Sequence, residues 1–188
     1  MGTRGLHKVI KDGKTVVAQY SQWDNYIDGN GVEALNFFRE IVKDEDSKKR
    51  FRDNLDRVRV ADGPYDHEEF AKVFGEGGVA EQEKWEPIKW MRTLDAQFPG
   101  LSRNTGAQIY YHILNLRETE VLLHRLDTVF EKDTLFCEGV SCIDTDTWEF
   151  SWTVPGYNSP SCTLKITDKS IPSRDEFLDA WYELVGEE

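Results

Sequence analysis

The chain has 188 residues and a mass of 21.8 kDa, and at 39% hydrophobic and 12% aromatic it carries enough apolar material for one core. A mean hydropathy of -0.60 beside six Trp, seven Tyr and ten Phe belongs to a folded surface, which excludes wholesale disorder. With 35 acidic against 23 basic residues the net charge is -12 and the pI about 4.8, so direct nucleic-acid binding by the surface as a whole is excluded.

No window approaches the roughly 18 to 20 consecutive apolar residues of a membrane span. Met1-Gly2-Thr3-Arg4-Gly5 is not followed by a signal-peptide core, so the expectation is a cytoplasmic protein with no membrane partner. Cys137, Cys142 and Cys162 are odd in number and lack C-x-x-C spacing, which fits reduced core thiols better than a disulfide framework or a zinc knuckle.

In chain order, Leu6 to Ile10 and Thr15 to Tyr20 are β-prone, and Lys11-Asp12-Gly13-Lys14 between them supplies the Asp-Gly pair of a type I′ turn. The first two strands are therefore an antiparallel hairpin. Gln22-Trp23-Asp24-Asn25-Tyr26 and the glycine-rich Asp28-Gly29-Asn30-Gly31 then deliver the chain to a helix with Val32, Leu35, Phe38 and Ile41 or Val42 on one stripe. Residues 44–60 mix acids and bases at helical spacing, with Phe51, Leu55 and Val58 as a narrow apolar stripe of a more exposed helix.

After Asp62-Gly63-Pro64 a short helix is expected over Asp66 to Phe74, and Gly75-Glu76-Gly77-Gly78 reads as a flexible connection. Pro87 opens a helix carrying Trp85, Ile88, Met91, Leu94 and Phe98 that stops at Pro99-Gly100. Ser102 or Asn104 caps the next, whose apolar residues include Ala107, Tyr110, Tyr111, Ile113 and Leu114.

From Thr134 the period becomes two, giving strands at Leu135 to Ile143 and Trp148 to Val154 around Asp144-Thr145-Asp146-Thr147, and a further strand at Cys162 to Ile166. Ser173-Arg174-Asp175-Glu176 fits a capping box, followed by Phe177, Leu178, Trp181, Leu184 and Val185 on one helical face. The order implies an α+β fold in one domain over 1–188. A mainly antiparallel sheet would form from strands at 6–20 and 134–166, with a helical insert at about 31–117 and a C-terminal helix at about 174–185.

The P-loop, Rossmann, HExxH and GxSxG patterns are absent, and no cofactor is indicated. His7, His67, His112 and His124 include no pair at i, i+3 or i+4, so no metal site is expected. Asp144-Thr145-Asp146 lacks the further ligands of an EF-hand and reads as a hairpin turn.

Two features remain for function. Thr3 and Arg4 precede the first strand while Gln22, Trp23, Asp24 and Tyr26 follow the second, so the hairpin brings them to one end of the sheet. Arg4 offers a planar fork to a carboxylate or phosphate, Trp23 and Tyr26 stack, and Gln22 and Asp24 set hydrogen-bond specificity for a small nucleotide-like ligand. The plainer alternative is an Arg4–Asp24 pair with buried aromatics that closes the core. The second feature is the stretch Asp62, Asp66, Glu68, Glu69, Glu76, Glu81 and Glu83, against Lys72 alone, which holds half the net charge. It is either a solvated face or, through Glu68, Glu69 and Glu76, a mimic of nucleic-acid phosphates that occupies the basic cleft of a partner protein.

At these residues the chain resembles a group of uncharacterised bacteriophage and bacterial proteins that begin Met-Gly-Thr-Arg-Gly. In that group a hairpin, a Tyr-x-Gln/His-x-Asp-x-Tyr-type segment and a glycine-led helix follow, matched here by Met1 to Gly5, Tyr20 to Tyr26 and Gly29 to Gly31. Weaker likeness continues through Leu101 to Ala107 and Cys142 to Asp146, while Tyr26-Ile27-Asp28 departs from the Tyr-Pro common among the relatives. The resemblance implies a phage setting; together with the missing catalytic patterns it leads to the expectation of a binding or inhibitory protein that acts on a host protein or sequesters a ligand, as in counter-defence.

A more distant likeness is to N-terminal-nucleophile amidohydrolases, which implies Thr3 as nucleophile assisted by Asp24. Removal of Met1 alone exposes Gly2, so that mechanism needs one further cleavage.

Overall fold

The computed structural model describes residues 2–61, 92, 95–156 and 160–186. The first hairpin forms as its turn chemistry dictates. Strands β1 (Arg4–Lys11) and β2 (Lys14–Ser21) pair antiparallel with Lys11 opposite Lys14, and Asp12 and Gly13 both take positive φ, 53° and 69°. An irregular turn at Ile27–Gly31 leads into α1 (Val32–Ile41), and α2 (Glu45–Leu55) follows with Asp44 accepting the N–H groups of Asp46 and Ser47.

Beyond β3 (Val58–Val60) come short 3-10 turns at Pro99–Leu101 and Gly106–Gln108, then α3 (Ile109–Leu114) and β4 (Leu122–His124). A 3-10 turn at Phe130–Lys132 precedes β5 (Cys137–Asp144), β6 (Glu149–Val154), β7 (Cys162–Thr167) and α4 (Arg174–Val185).

The main sheet runs β2-β1-β5-β6-β7, antiparallel at every junction except β1 with β5, which is parallel. The α+β class and the assembly of the sheet from both ends of the chain follow from the two hairpins. α4 carries the expected capping box, Ser173 with Glu176, and ends on Gly186 at φ 76°.

Several expectations need correction. Val58 does not extend the helical stripe. It pairs with Leu122 in a two-stranded parallel sheet of β3 and β4, so the region expected to be a helical insert also contains a strand. β5 begins at Cys137, leaving Leu135 and Phe136 exposed ahead of it. Neither Ser102 nor Asn104 caps a helix, because the Ser102 hydroxyl accepts the Asn104 N–H and α3 is entered through the 3-10 turn. The expected elements at 66–74 and most of 85–98 lie outside the described residues.

Register explains where the core is apolar and where it is not. On the helix-covered face, Val17, Val9, Ile143, Phe150 and Ile166 lie opposite one another across all five strands. Phe150 meets Phe38 of α1 at 5.8 Å and Phe177 of α4 at 6.1 Å between ring centroids. Two residues along, the row becomes Gln19, His7, Ser141, Trp152 and Leu164, and beyond it lie Ser21, Gly5 and Gly139. The core thus grows polar, then small, toward the end of the sheet where β1 begins. The opposite face has a smaller cluster of Leu6, Cys137 and Val140, with Tyr20 and Phe130 against it.

Candidate functional site

Asn25 organises the end of the sheet. It is fully buried, and its Nδ2 donates to the carbonyls of Thr3 (2.9 Å), Ser21 (3.2 Å) and Trp23 (3.0 Å), while its own N–H donates to Thr3 Oγ1 (3.1 Å). Asn30 adds a second brace, donating from Nδ2 to the Trp23 carbonyl (2.8 Å) and accepting the Ala107 N–H (3.0 Å). Gly5 and Gly139 are small because Asn25 and the Trp152 indole occupy the space a Cβ would need. The Gln22–Tyr26 segment is thereby fixed at both its backbone and its floor.

On this fixed backbone Trp23 and Tyr26 are 52% and 58% exposed, so the alternative of buried aromatics closing the core is set aside. The Trp23 indole N–H donates to Asn104 Oδ1 (3.0 Å), and Gly2 lies against the ring. Gln22 donates its N–H to the Arg103 carbonyl (2.9 Å) and accepts from the Tyr20 hydroxyl (2.8 Å). Asp24 adopts a positive φ of 57° and accepts the Asn30 N–H on its carbonyl (2.8 Å).

Among the described residues Arg4 forms no ion pair with Asp24. Its guanidinium lies 4.7 Å over the Phe136 ring, and its backbone N–H donates to a Glu138 carboxylate oxygen (2.7 Å). The shift in register between Arg4 and Gly5 leaves Glu138 as the extra residue of a bulge, which puts that carboxylate in place. Tyr20 stands edge-on to Phe130 at 4.9 Å. Burial raises the Tyr20 phenol above its ordinary pKa, opposed by the positive charges of Arg4 and Arg103 and reinforced by the negative charge of Asp127.

The sequence therefore locates Arg4, Gln22, Trp23, Asp24 and Tyr26 at one end of the sheet, and the structure adds Tyr20, Arg103, Asn104 and Phe136 beside them. Arg103 and Asn104 lie some 80 residues from Trp23 in sequence, so no local pattern announces them. Asn25 lies within the segment itself, but its role follows from three carbonyls that converge only in the fold.

Thr3 is buried, and its hydroxyl and carbonyl both accept hydrogen bonds from Asn25. A second nucleophile-type pair sits deeper. Ser141 Oγ is 2.7 Å from His7 Nδ1 and 2.7 Å from the Tyr110 hydroxyl, all three residues being fully buried. Burial holds His7 down to about 3 against a smaller upward pull from the Asn25 carboxamide, and no bond of good geometry reaches Nε2. An imidazole that is neutral and closed to solvent fits core packing rather than nucleophile activation.

A groove of about 450 Å³ starts at Gly29, whose N–H donates to the Tyr26 carbonyl (3.2 Å), and runs along Val32, Glu33, Asn36 and Glu40 of α1 with Gln108 and Tyr111 opposite. Burial first, then the nearby Glu40 and Glu33 carboxylates, push the Tyr111 phenol up to about 12. Asp144 and Asp146 belong to the hairpin turn, where Asp146 accepts from Asp12 and Gly13, and among the described residues no cluster fit for a metal is found. Glu68, Glu69 and Glu76 lie outside the described residues, and among the described ones no helix is long and apolar enough to cross a membrane.

The chain matches no protein-family model, and no curated protein and no solved structure is significantly similar to it.

Proposed function

We propose that this protein works by binding, and that it engages a protein partner through the Arg4, Gln22, Trp23, Asp24 and Tyr26 end of the sheet. The observation that carries this reading is the exposure of Trp23 and Tyr26 on a backbone held by Asn25 and Asn30. An exposed aromatic on a mobile loop loses conformational entropy when it docks, whereas one already fixed keeps more of its contact energy as affinity. Trp, Tyr and Arg are also the side chains that dominate binding at protein interfaces. The neighbouring exposure of Leu135 and Phe136 extends the apolar surface toward β5.

A host factor as the partner, with inhibition or counter-defence as the outcome, accords with the phage-like N-terminal segment. Sequestration of a small nucleotide-like ligand by the same residues is the second form of the reading, favoured by the Arg4 fork. Thr3-based amide hydrolysis with Asp24 is the weaker alternative, since the Thr3 hydroxyl is buried and already accepts the Asn25 N–H.

Affinity capture from bacterial lysate, with the bound fraction analysed for proteins and small molecules, tests this reading. A single stoichiometric partner is expected, with Trp23→Ala weakening its binding by roughly 30-fold, the scale of an interface hot spot. The triple variant Glu68→Gln, Glu69→Gln, Glu76→Gln should bind unchanged. The opposite pattern, with the triple variant losing the partner and Trp23→Ala retaining it, transfers the function to the acidic stretch as a nucleic-acid mimic.

A further inference from the structure

We infer that the partner presents a carboxylate-bearing segment, Asp or Glu beside apolar side chains, and that Arg4 and Arg103 receive it. This rests on the sheet end being the binding surface and names the chemistry that surface selects. Among the described residues neither guanidinium forms an ion pair with a carboxylate, although acids outnumber bases in the chain 35 to 23. The carboxylates near them are otherwise engaged. Glu138 accepts the Arg4 backbone N–H, Asp95 accepts from Ser102 and Asn104, and Asp127 accepts the Phe130 N–H.

The Arg4 guanidinium is arranged for this contact. Its Cζ lies 4.7 Å over the Phe136 ring, a contact that uses the face of the guanidinium and not its N–H groups. No described residue accepts a hydrogen bond from the Arg4 side chain, and the Glu138 carboxylate is taken by the Arg4 backbone N–H instead. Arg103 is exposed and joined to the same strand end through its carbonyl, which accepts the Gln22 N–H at 2.9 Å. Arg4 precedes Gly5, which pairs with Ser21, and Gln22 follows Ser21 and bonds the Arg103 carbonyl, so both arginines belong to the same end of β1 and β2.

Around this pair lie apolar surfaces, with Phe136 42% and Leu135 59% exposed on one side and Trp23 tied to Asn104, the neighbour of Arg103. A planar fork among exposed aromatics takes a carboxylate in two parallel hydrogen bonds while the rings take the flanking apolar groups. An apolar segment without a carboxylate would cover both guanidinium groups and leave them desolvated and unpaired. A basic segment would be repelled by them. Of the three kinds of peptide segment, the acidic one satisfies both the rings and the forks.

The test uses the full chain and synthetic peptides with one aliphatic and aromatic scaffold in acidic, neutral and basic versions. The acidic version should bind most tightly, lose affinity as salt rises, and bind about tenfold more weakly to Arg4→Gln and to Arg103→Gln. Arg103 is exposed and Arg4 half-buried against Phe136, so circular dichroism checks that each variant keeps its fold. Equal or tighter binding of the neutral or basic version, binding of none, or acidic binding unchanged in both arginine variants overturns the inference. Arg4-dependent binding of a nucleoside monophosphate or an oligothymidylate in preference to the acidic peptide assigns the forks to phosphate and also overturns it. Trp23→Ala separates the two levels. If it abolishes binding while the arginine variants do not, the surface stands and the carboxylate assignment fails; if it changes nothing, the surface itself is wrong.

Discussion

Asn25 shows how a single amide positions a surface it does not join. Its Nδ2 meets three main-chain carbonyls, from Thr3, Ser21 and Trp23, and so ties the start of β1 to the end of β2 and to the loop beyond. Asn25→Ala removes the donor and leaves those carbonyls buried without it, a loss of about 2 to 3 kcal/mol. Asn25→Asp should destabilise more, because a carboxylate oxygen then faces three carbonyl oxygens and no donor remains. Urea unfolding gives the order wild type, Ala, Asp, and hydrogen exchange of the Asn25 and Asn30 backbone amides should speed up in the Ala variant as the loop loosens. Unchanged exchange in a destabilised Asn25→Ala would show that the remaining bonds to Trp23, from Asn30 and Ser21 to its carbonyl and from its indole to Asn104, hold the loop without Asn25. The exposed members of the site were legible in sequence because a two-residue hairpin must return the chain to where it began. Asn25 was not, since amides read as turn residues whether or not carbonyls converge on them.

The elements divide along the same line. The β1–β2 hairpin, the β5–β6 hairpin and α4 each carry their instructions within a few residues: Asp12-Gly13, Asp144 to Thr147, and the Ser173–Glu176 box. The parallel pairing of β1 with β5 joins residues more than 130 apart, and β3 with β4 joins two three-residue strands, neither of which leaves a periodic mark. At the far end of the sheet the two turns are locked together. Asp146 accepts the Asp12 and Gly13 N–H groups at 2.9 and 2.7 Å, and Arg52 of α2 donates to Asp146 (2.6 Å), to Thr145 and to Asp12. The Arg52 hydrogen bond, then the backbone donors, hold the Asp146 carboxyl down to about 2. Its folded value lies below the ordinary 3.8, so its contribution to stability is complete above 3.8 and is lost as pH falls through about 2. Asp146→Asn should remove that acid-range dependence and speed amide exchange at Asp12 and Gly13 at neutral pH. Unchanged exchange at both amides would mean that the turn geometry is set by the Asp-Gly pair alone.

For the whole molecule, the histidines inside the fold decide how it meets acid. His7 lies between Ser141 and Tyr110, and His124 accepts the Ala18 N–H on Nε2 (2.9 Å) while Nδ1 faces Gln19 Oε1 (3.1 Å), so its ring covers the outer edge of β2. Burial lowers His7 from 6.5 to about 3 and His124 from 6.5 to about 4, each against a smaller hydrogen-bond effect of opposite sign. For a base whose folded pKa is depressed, the unfolded chain takes up the proton first. Stability is therefore full above pH 6.5, falls as pH drops below it, and levels off for each ring only beneath its folded value. Each ring contributes a slope of at most about 1.4 kcal/mol per pH unit across that window. Together the two rings can remove about 8 kcal/mol by pH 3, so a protein in the lower part of the ordinary range of about 5 to 15 kcal/mol should unfold before Asp146 titrates. His124→Gln keeps an acceptor for the Ala18 N–H without a titrating ring, and should reduce the slope of urea-unfolding free energy between pH 6.5 and 4 by about half. A slope identical to that of the wild type would show that His124 is protonated in the folded state, with the Ala18 edge of β2 released from it.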